Sequence, residues 1–437
     1  MADRKGHDVL LSEVREKIRS AEAKLERQLK DGTASSECEE TNIEKQHTQC
    51  FCHLCDPRDS SPEWASYCTL RHEIGELKCQ ESALVEEQRT ENLLAEYYEE
   101  HPNARDNQLE CPVCMDAINL CARYMVIPCC GKFICNQCSN DLFQKATSSD
   151  CPFCRTPNED SLDVLEERVA NDNPRALWQK ANRYVNKKKM EKALVLLHRA
   201  FDGGFLRAAD SLGLAYYHLW NEDESNDTWR KNALSWSKRG FENGSIADNG
   251  YYLGMVSYDN AEAGKCMTIS ASVGWIDAQL MLARWFYEGE RGLEKSLESS
   301  RYWAQTARQN TDSIVMFFKG NGQAMYDLGF VMWELAKQWY GGCSGFTGHE
   351  VRGEVFDCFR KSAEQKYDEA ISSMEAMKKG QAKRCSNALC AIPKEKCTKG
   401  FLPVQCMRCS FERYCSLQCL ASDWKARHKD DCRPWQN

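Results

Sequence analysis

Apolar residues recur at helical spacing in two charged stretches near the start of the chain. Residues 11–30 form the clearer one, and their apolar positions step by three and four residues, as in a heptad. Those positions are Leu11, Val14, Ile18, Ala21 and Leu25. The spacing predicts an amphipathic helix that stops near Gly32 and packs either on a second copy of itself or on its own chain. A second charged helix is predicted over about 81–100.

The centre of the chain has the composition of closely packed helices. No proline occurs from Arg175 to Ile392, although the chain contains 11, and proline breaks the interior of a helix. Nine of the 12 tryptophans lie in this stretch, where we expect them to pack between helices rather than line a peptide-binding groove. These features together predict a helical array.

A repeated pattern runs through this array. Four segments begin with a glycine, at Gly204, Gly244, Gly274 and Gly320. Three of them carry an alanine four positions later and a leucine four positions beyond it, namely Ala208 and Leu212, Ala278 and Leu282, and Ala324 and Leu328. The second copy has Asp248 and Tyr252 at these positions, and a degenerate fifth copy begins at Lys366.

The pattern predicts helix pairs separated by left-handed glycine caps, with the alanine placed where the next helix approaches its neighbours closely. Over about 175–375 it resembles the Sel1-like repeat, a relative of the tetratricopeptide repeat. The resemblance implies a mainly α fold, a helical-repeat solenoid, that binds partner proteins. The plainer alternative is an unspecialised helical domain.

Cysteine is the outlier of the composition, and its distribution says more than its number. Of 26 cysteines, 15 lie at or before Cys154 and eight lie from Cys385 to Cys432. No apolar signal sequence opens the chain, and no run is long enough to span a membrane. We therefore expect an intracellular protein, cytoplasmic or nuclear or both, whose clustered thiols bind metal. The net charge of −8 argues against nucleic acid as the main partner.

Four cysteine pairs lie within residues 111–154. In chain order they are Cys111 and Cys114, Cys129 and Cys130, Cys135 and Cys138, and Cys151 and Cys154. Two thiolates two residues apart can hold one tetrahedral Zn²⁺ from a tight turn, so four consecutive pairs supply two closed sites. A closed site leaves no position for water, and these zincs are therefore expected to be structural.

The segments CPVC, PCCGKFICNQC and CPFCR resemble a RING finger. The resemblance implies interleaved ligands, with the first and third pairs on one zinc and the second and fourth pairs on the other. Lys132 stands where the family has a ligating histidine, which favours an all-cysteine variant. Cys121 is the alternative ligand if the adjacent Cys129 and Cys130 cannot both reach the metal.

RING fingers commonly act as ubiquitin ligases by docking a ubiquitin-conjugating enzyme, without a catalytic side chain of their own. The family's docking surface combines an apolar residue of the first pair, a bulky residue of the central helix, the proline of the last pair and a donor after the last ligand. The matching residues are Val113, Leu142 or Phe143, Pro152 and Arg155. The plainer interpretation places Val113 and Phe143 in the core of a small module and leaves Arg155 as a solvated charge.

A second ligand set lies between residues 385 and 432. In chain order its pairs are Cys385 and Cys390, Cys406 and Cys409, Cys415 and Cys419, and His428 and Cys432. The ending RYCS-x2-C…DW…H-x3-C resembles a MYND finger, which implies one zinc on the first and third pairs and another on the second and fourth. Cys397 is the alternative to Cys390. MYND fingers generally bind proline-containing peptides and partner proteins.

A weaker cluster precedes both modules. Cys52, Cys55, Cys68 and His72 offer a full ligand set for one further zinc in the order C-x2-C-x12-C-x3-H. The alternative is a cysteine-rich linker without metal.

The predicted organisation has five parts. They are a charged amphipathic helix (1–34), a Cys/His-rich segment with a charged helix (35–105), a RING-like finger (106–160), Sel1-like helical repeats (163–380) and a MYND-type finger (385–432). The expected function is that of a zinc-binding ubiquitin ligase whose repeats and MYND finger bind partners; the alternative is a non-enzymatic zinc-finger scaffold. No membrane partner is expected. Chelation should unfold both zinc modules and largely spare the helical centre, which has no ligand cluster.

The number of zinc ions per chain tests these assignments. Two modules of two sites each predict four, and a site within residues 52–72 predicts five. Native mass spectrometry of the full chain measures the stoichiometry directly. A value below four would contradict the assignment of at least one module.

Overall fold

A computed structural model describes most of the chain. The described residues are 4–30, 62–104, 110–116, 124–145, 150–157, 160–313, 321–339, 349–364 and 366–373, with a few positions between 404 and 429. The chain divides into two compact units, one formed by Met1–Glu86 with Ser296–Asn437 and the other by Glu87–Lys295. They are called the outer unit and the central unit after their places in the sequence.

Helices make up most of the described chain. In chain order the elements are α1 (Arg4–Lys30), α2 (Pro62–Glu100), β1 (Tyr124–Val126), β2 (Phe133–Cys135), α3 (Asn136–Lys145), α4 (Ser161–Ala170), α5 (Pro174–Asn186), α6 (Met190–Asp202), α7 (Ala208–Glu222), α8 (Asp227–Glu242), α9 (Ile246–Val256), α10 (Asn260–Ser272), α11 (Ile276–Glu288), α12 (Leu297–Ser313), α13 (Asn321–Trp339), α14 (His349–Glu364), β3 (Val404–Gln405) and β4 (Arg413–Tyr414). Helix α5 packs on α6, α7 on α8, α9 on α10 and α13 on α14. This packing of consecutive pairs confirms the predicted mainly α, helical-repeat fold.

The junctions between pairs have the left-handed geometry that the glycines predict. Gly204, Gly244 and Gly274 have φ values of +91°, +94° and +95°. At each junction the next residue donates its amide N–H to the carbonyl five positions back, as Phe205 does to Ala200 (3.0 Å). This is the Schellman arrangement, which closes a helix and redirects the chain into the next one. Gly320 lies outside the described residues.

Two more junctions use the same turn without glycine. Asp172, between α4 and α5, and Lys366, after α14, have φ values of +55° and +61°. The alanines four positions later, Ala176 and Ala370, are fully buried, as Ala208 and Ala278 are. Lys366 begins the degenerate copy noted in the sequence. The repeated glycine pattern does not predict the junction at Asp172, although aspartate also tolerates this conformation.

The second copy departs from the pattern because it places a carboxylate where the others place alanine. Asp248 lies in the first turn of α9, where its Oδ1 accepts hydrogen bonds from the Ser245 hydroxyl (3.2 Å) and the Asn249 amide (3.0 Å). The Asn249 side chain donates to Asp210 of α7 (3.0 Å). Burial, and then the charge of Asp248, raise the pKa of Asp210 to about 7.

In the outer unit, the heptad stripe of α1 packs on its own chain. Val14, Ile18 and Ala21 are buried, and the stripe contacts Leu70 and Ile74 of α2. Ion pairs of Arg15 with Glu81 (2.7 Å) and of Glu22 with Lys78 (2.9 Å) show that the two helices run antiparallel. Helix α2 begins at Pro62, well before the predicted start near residue 81.

Helix α12 also packs on the first part of α2. Arg301 forms an ion pair with Glu76 (2.8 Å), and the indole N–H of the buried Trp303 donates to Glu86 (3.1 Å). None of the described helices has both the length and the apolar character needed to cross a membrane.

Two glycine junctions of the central unit make a matched pair for testing. A Cβ at Gly204 would meet open space, whereas a Cβ at Gly244 would lie 2.6 Å from the carbonyl oxygen of Ala104. Gly204→Ala should therefore cost only the strain of a left-handed L-residue, about 1–2 kcal/mol, and Gly244→Ala should cost more. Urea unfolding followed by circular dichroism measures both. Equal losses would contradict the clash.

Candidate metal centre

Three turns with the same hydrogen bonds carry most of the cysteines in residues 111–154. In the first, Met115 N–H donates to Cys111 O (2.8 Å) and Cys111 N–H to Asp116 O (2.9 Å). In the last, Arg155 N–H donates to Cys151 O (2.9 Å) and Cys151 N–H to Thr156 O (2.8 Å). Each turn has a proline after its first residue and a left-handed fifth residue. The backbone is therefore reversed within six residues, and both thiols of the pair face one point.

The middle turn, residues 127–132, repeats these bonds with different side chains. Gly131 N–H donates to Ile127 O (2.8 Å), and Ile127 N–H donates to Lys132 O (2.9 Å). Ile127 thus takes the position of the first cysteine, while Cys130 takes that of the second and Cys129 precedes it. The shared proline, Pro128 here, was the sequence signal that could have revealed this third turn. We call the three turns, residues 111–116, 127–132 and 151–156, the first, middle and last knuckles.

The structure brings the eight cysteines together in two groups of four. The first group is Cys111, Cys114, Cys135 and Cys138, and the second group is Cys129, Cys130, Cys151 and Cys154. Within each group all four Sγ atoms lie within 4.8 Å of one another. These are the groups that the interleaved arrangement implies, and Cys129 and Cys130 both point to the same centre.

The distances within the groups suit zinc. Tetrahedral Zn²⁺ with Zn–S bonds of about 2.3 Å separates its sulfurs by about 3.8 Å. The Sγ atoms of Cys114 and Cys135 are 3.9 Å apart, those of Cys130 and Cys151 are 3.9 Å apart, and those of Cys129 and Cys154 are 3.4 Å apart. Disulfide sulfurs would lie about 2.05 Å apart. Both donor sets therefore fit a closed four-thiolate site.

A short hairpin and a helix position the remaining ligands. Strands β1 and β2 pair antiparallel, with Met125 opposite Ile134, and Ile134 is fully buried. Cys135 ends β2 and Cys138 lies in the first turn of α3. A ligand pair at a strand-to-helix boundary has little freedom, because both elements fix its backbone.

Each group contains one thiol whose charged form is favoured. Burial acts to raise the pKa of Cys111, but backbone N–H groups, chiefly that of Cys114, outweigh it and lower the pKa to about 6. Burial likewise opposes ionisation of Cys154, and the hydroxyl and backbone of Thr156 lower its pKa to about 6. Burial raises the pKa of Cys129. Thiolate is the form that binds metal, so these contacts favour the ligating form of Cys111 and of Cys154.

Lys132, at the position of the usual histidine, has a different contact. Its ammonium lies over the ring of Phe153, 4.9 Å from the ring centre. This cation–π contact joins the middle knuckle to the last one. Lys132 thus supports the turn without supplying a ligand.

The predicted docking residues have different exposures. Val113 is 43% exposed, and Pro152 and Arg155 are exposed. Leu142 is partly buried against the core, and the Phe143 side chain is not among those that the structure describes.

Sequence reasoning did not single out two exposed methionines of the same module. Met115 is 69% exposed and Met125 is 41% exposed. Their apolar character beside CPVC and before the middle knuckle was the available signal. Together with Val113 they add apolar surface to the module.

The other predicted ligands fall largely outside the described residues. This holds for all eight of the tail, for Cys121 and Cys397, and for Cys52 and Cys55. Cys68 and His72 both belong to α2, one helical turn apart, although only the His72 side chain is described. Strands β3 and β4 pair antiparallel within the tail, with Val404 opposite Tyr414.

Comparison with known proteins gives one family match in the tail and one solved structure. Residues 380–432 match the family model of the MYND finger, a zinc-binding domain, so zinc is a cofactor of this chain. No curated protein matches the sequence. A solved structure of a protective antigen from uropathogenic Escherichia coli, described as displaying an SLR fold, is 19% identical over 50% of this chain and 52% of its own, with a TM-score of 0.32. The match spans about half of that protein.

Single cysteine substitutions test the second group. Cys129→Ser and Cys130→Ser should each lower the zinc content by about one ion, because three thiolates hold Zn²⁺ less tightly than four. Cys266→Ser, a buried thiol of α10 outside both groups, is the matched control. Metal content is measured by native mass spectrometry. Loss of zinc in Cys121→Ser but not in Cys129→Ser would identify Cys121 as the ligand instead.

Proposed function

We propose that this protein is a RING-type ubiquitin ligase whose helical repeats and MYND finger bind its partner proteins. The observation that carries the proposal is the pair of four-cysteine groups, built on three knuckles, with Val113, Pro152 and Arg155 exposed on the same module. The repeats and the MYND finger are protein-interaction modules. A ligase needs both a docking surface and a means of choosing its substrate.

The zinc ions act structurally in this proposal. The two described groups each hold one zinc, and the eight tail ligands from Cys385 to Cys432 hold two more in the interleaved order of a MYND finger. A further zinc within residues 52–72 belongs to the same proposal. Each zinc fixes the knuckles from which the docking residues project.

Docking of the conjugating enzyme rests on a small apolar surface and one cation. Val113 belongs to the first knuckle and is the second residue after Cys111. Pro152 belongs to the last knuckle and directly follows Cys151. They offer apolar contact to a loop of the enzyme. Arg155 has a left-handed backbone, φ +59°, which turns the chain immediately after the last cysteine. Its guanidinium can donate several hydrogen bonds to carbonyls of the bound enzyme and its ubiquitin.

The alternative is a non-enzymatic zinc-finger scaffold that works inside cells, in the cytoplasm or the nucleus. Two observations favour it. Lys132 replaces the usual histidine, and the RING-like module shares one continuous hydrophobic core with α4–α9, as a rigid interaction platform would. Partners would then bind the repeats, and proline-containing peptides the MYND finger.

An autoubiquitination assay separates the two functions. The full chain is incubated with ubiquitin, ATP, the activating enzyme and a panel of conjugating enzymes. Val113→Ala combined with Arg155→Ala should reduce product about tenfold or more, as expected when contacts worth about 1.4 kcal/mol or more are lost.

The matched control replaces Val195 and Arg183, which lie outside the module on α6 and α5, by alanine. Val195 is 61% exposed, so its loss should not disturb the fold. The control should keep full activity. No product with any conjugating enzyme, or full activity of the Val113→Ala, Arg155→Ala protein, would contradict ligase function and favour the scaffold.

A further inference from the structure

Helices α4 and α5 hold the backbone of the middle knuckle. The guanidinium of Arg168, in the last turn of α4, donates to the carbonyls of Pro128 (3.3 Å) and Cys129 (3.0 Å). The side-chain amide of Gln179 in α5 donates to the carbonyl of Ile127 (3.0 Å). Three consecutive carbonyls of the turn that supplies Cys129 and Cys130 are thus bound by the repeat array.

Arg168 also connects the two helices to each other. Its second terminal nitrogen donates to Oδ1 of Asn173 (3.1 Å), the N-cap of α5, which accepts as well from the Ala176 amide (3.1 Å). One guanidinium therefore links the knuckle, the end of α4 and the start of α5. A hydrogen bond with a charged donor is worth about 1.5–3 kcal/mol.

The fit between knuckle and helices is sterically close. A Cβ at Gly131 would lie only 2.6 Å from Cδ of Arg175, so any larger residue would have to displace the Arg175 side chain. Behind it, the ring of Phe133 packs on Trp178 (5.6 Å between centres). The Trp178 indole N–H donates to the Ser211 hydroxyl of α7 (2.9 Å). Contacts thus run without interruption from the knuckle to α7.

These contacts favour one cysteine group over the other. The side-chain hydrogen bonds of Arg168 and Gln179 to the RING-like module end on residues 127–129. The knuckle of Cys111 and Cys114 closes on itself through Met115 and Asp116. Support from the array therefore reaches the second group directly.

We propose that Arg168 and Gln179 are positioning residues for zinc in the second group, so that this metal and helices α4 and α5 stabilise each other. The inference rests on the proposed zinc loading of the module. Gln179 is only 7% exposed, so movement of the knuckle leaves a buried amide without its carbonyl, which costs free energy. Zinc loss therefore loosens the first helices of the array, in contrast to the sequence-based expectation that chelation spares the centre.

The rate at which each cysteine becomes reactive tests the positioning role. The zinc-loaded full chain is treated with a strong chelator, and samples are alkylated with N-ethylmaleimide and mapped by mass spectrometry. In Arg168→Met the four cysteines of the second group should react about tenfold faster than in the unmodified protein. Gln179→Leu should accelerate them by a smaller factor, and Arg168→Lys should restore part of the protection. The tail cysteines should keep their rates.

Lys180→Met is the matched control. Lys180 forms an ion pair with Glu166 and so joins the same two helices without contacting the knuckle. It should leave the alkylation rates of the second group unchanged. Equal rates in Arg168→Met and Lys180→Met would overturn the positioning role, because general loosening of α4 and α5 would then explain both. If Arg168→Met does not fold, the alkylation rates of Gln179→Leu and Arg168→Lys are compared with that of Lys180→Met instead.

Hydrogen exchange tests the reciprocal effect on the helices. Emptying the second group with Cys151→Ser and Cys154→Ser should raise amide exchange across residues 165–185 about tenfold. Unchanged exchange would overturn the linkage. If cysteines 111–154 of the unmodified protein react at once without chelator, the proposed zinc loading itself is wrong. If the cysteines are protected but amide exchange across residues 165–185 does not change, zinc loading stands and only its linkage to α4 and α5 is wrong.

Discussion

The left-handed backbone turn is the constraint on which both the helix junctions and the cysteine knuckles depend. Residues with positive φ close the knuckles at Met115, Gly131 and Arg155, and the junctions at Asp172, Gly204, Gly244, Gly274 and Lys366. In the knuckles, the turn lets an amide N–H donate to the carbonyl four residues earlier. At the helix junctions, amide N–H groups donate to carbonyls three and five residues earlier. Residues with a side chain pay strain of about 1–2 kcal/mol for this conformation, which packing or metal must offset.

The sequence was informative wherever spacing alone determines structure. The recurring glycines located the caps at Gly204, Gly244 and Gly274, and the glycine-to-alanine interval marked Ala208 and Ala278, because a cap and a close helix approach require small residues. The cysteine intervals marked the ligand pairs, and the resemblance to a RING finger implied how the pairs divide into two groups. Spacing could not predict which helix packs on the heptad stripe of α1, because the same stripe fits either a second copy of the chain or α2. The early start of α2 and the junction at Asp172 lack a distinctive residue pattern.

The sequence motifs also suggested that the RING-like finger and the helical repeats are separate domains, but the two pack into one hydrophobic core. Motifs end at their last ligand, so the RING-like finger and the repeats read as separate modules. The core shows otherwise, because Ile127 and Phe133 of the finger and Leu177 and Trp178 of α5 belong to one buried cluster. An apolar residue in a small zinc module looks the same in sequence whether it packs inward or on a neighbour. The contact between Phe133 of the finger and Trp178 of α5 shows that this residue packs on its neighbour.

Lys132 stands where the RING finger, which this segment resembles, has a ligating histidine, and this difference bears on the electrostatics of the second group. A zinc held by three thiolates and a neutral imidazole carries a net charge of −1, whereas four thiolates leave −2. Lys132, Arg168 and Arg175 bring three positive charges to the middle knuckle. Their positive charges would offset the extra negative charge of a four-thiolate zinc site. In an all-cysteine site, Lys132 would thus counter part of the charge of the additional cysteine ligand.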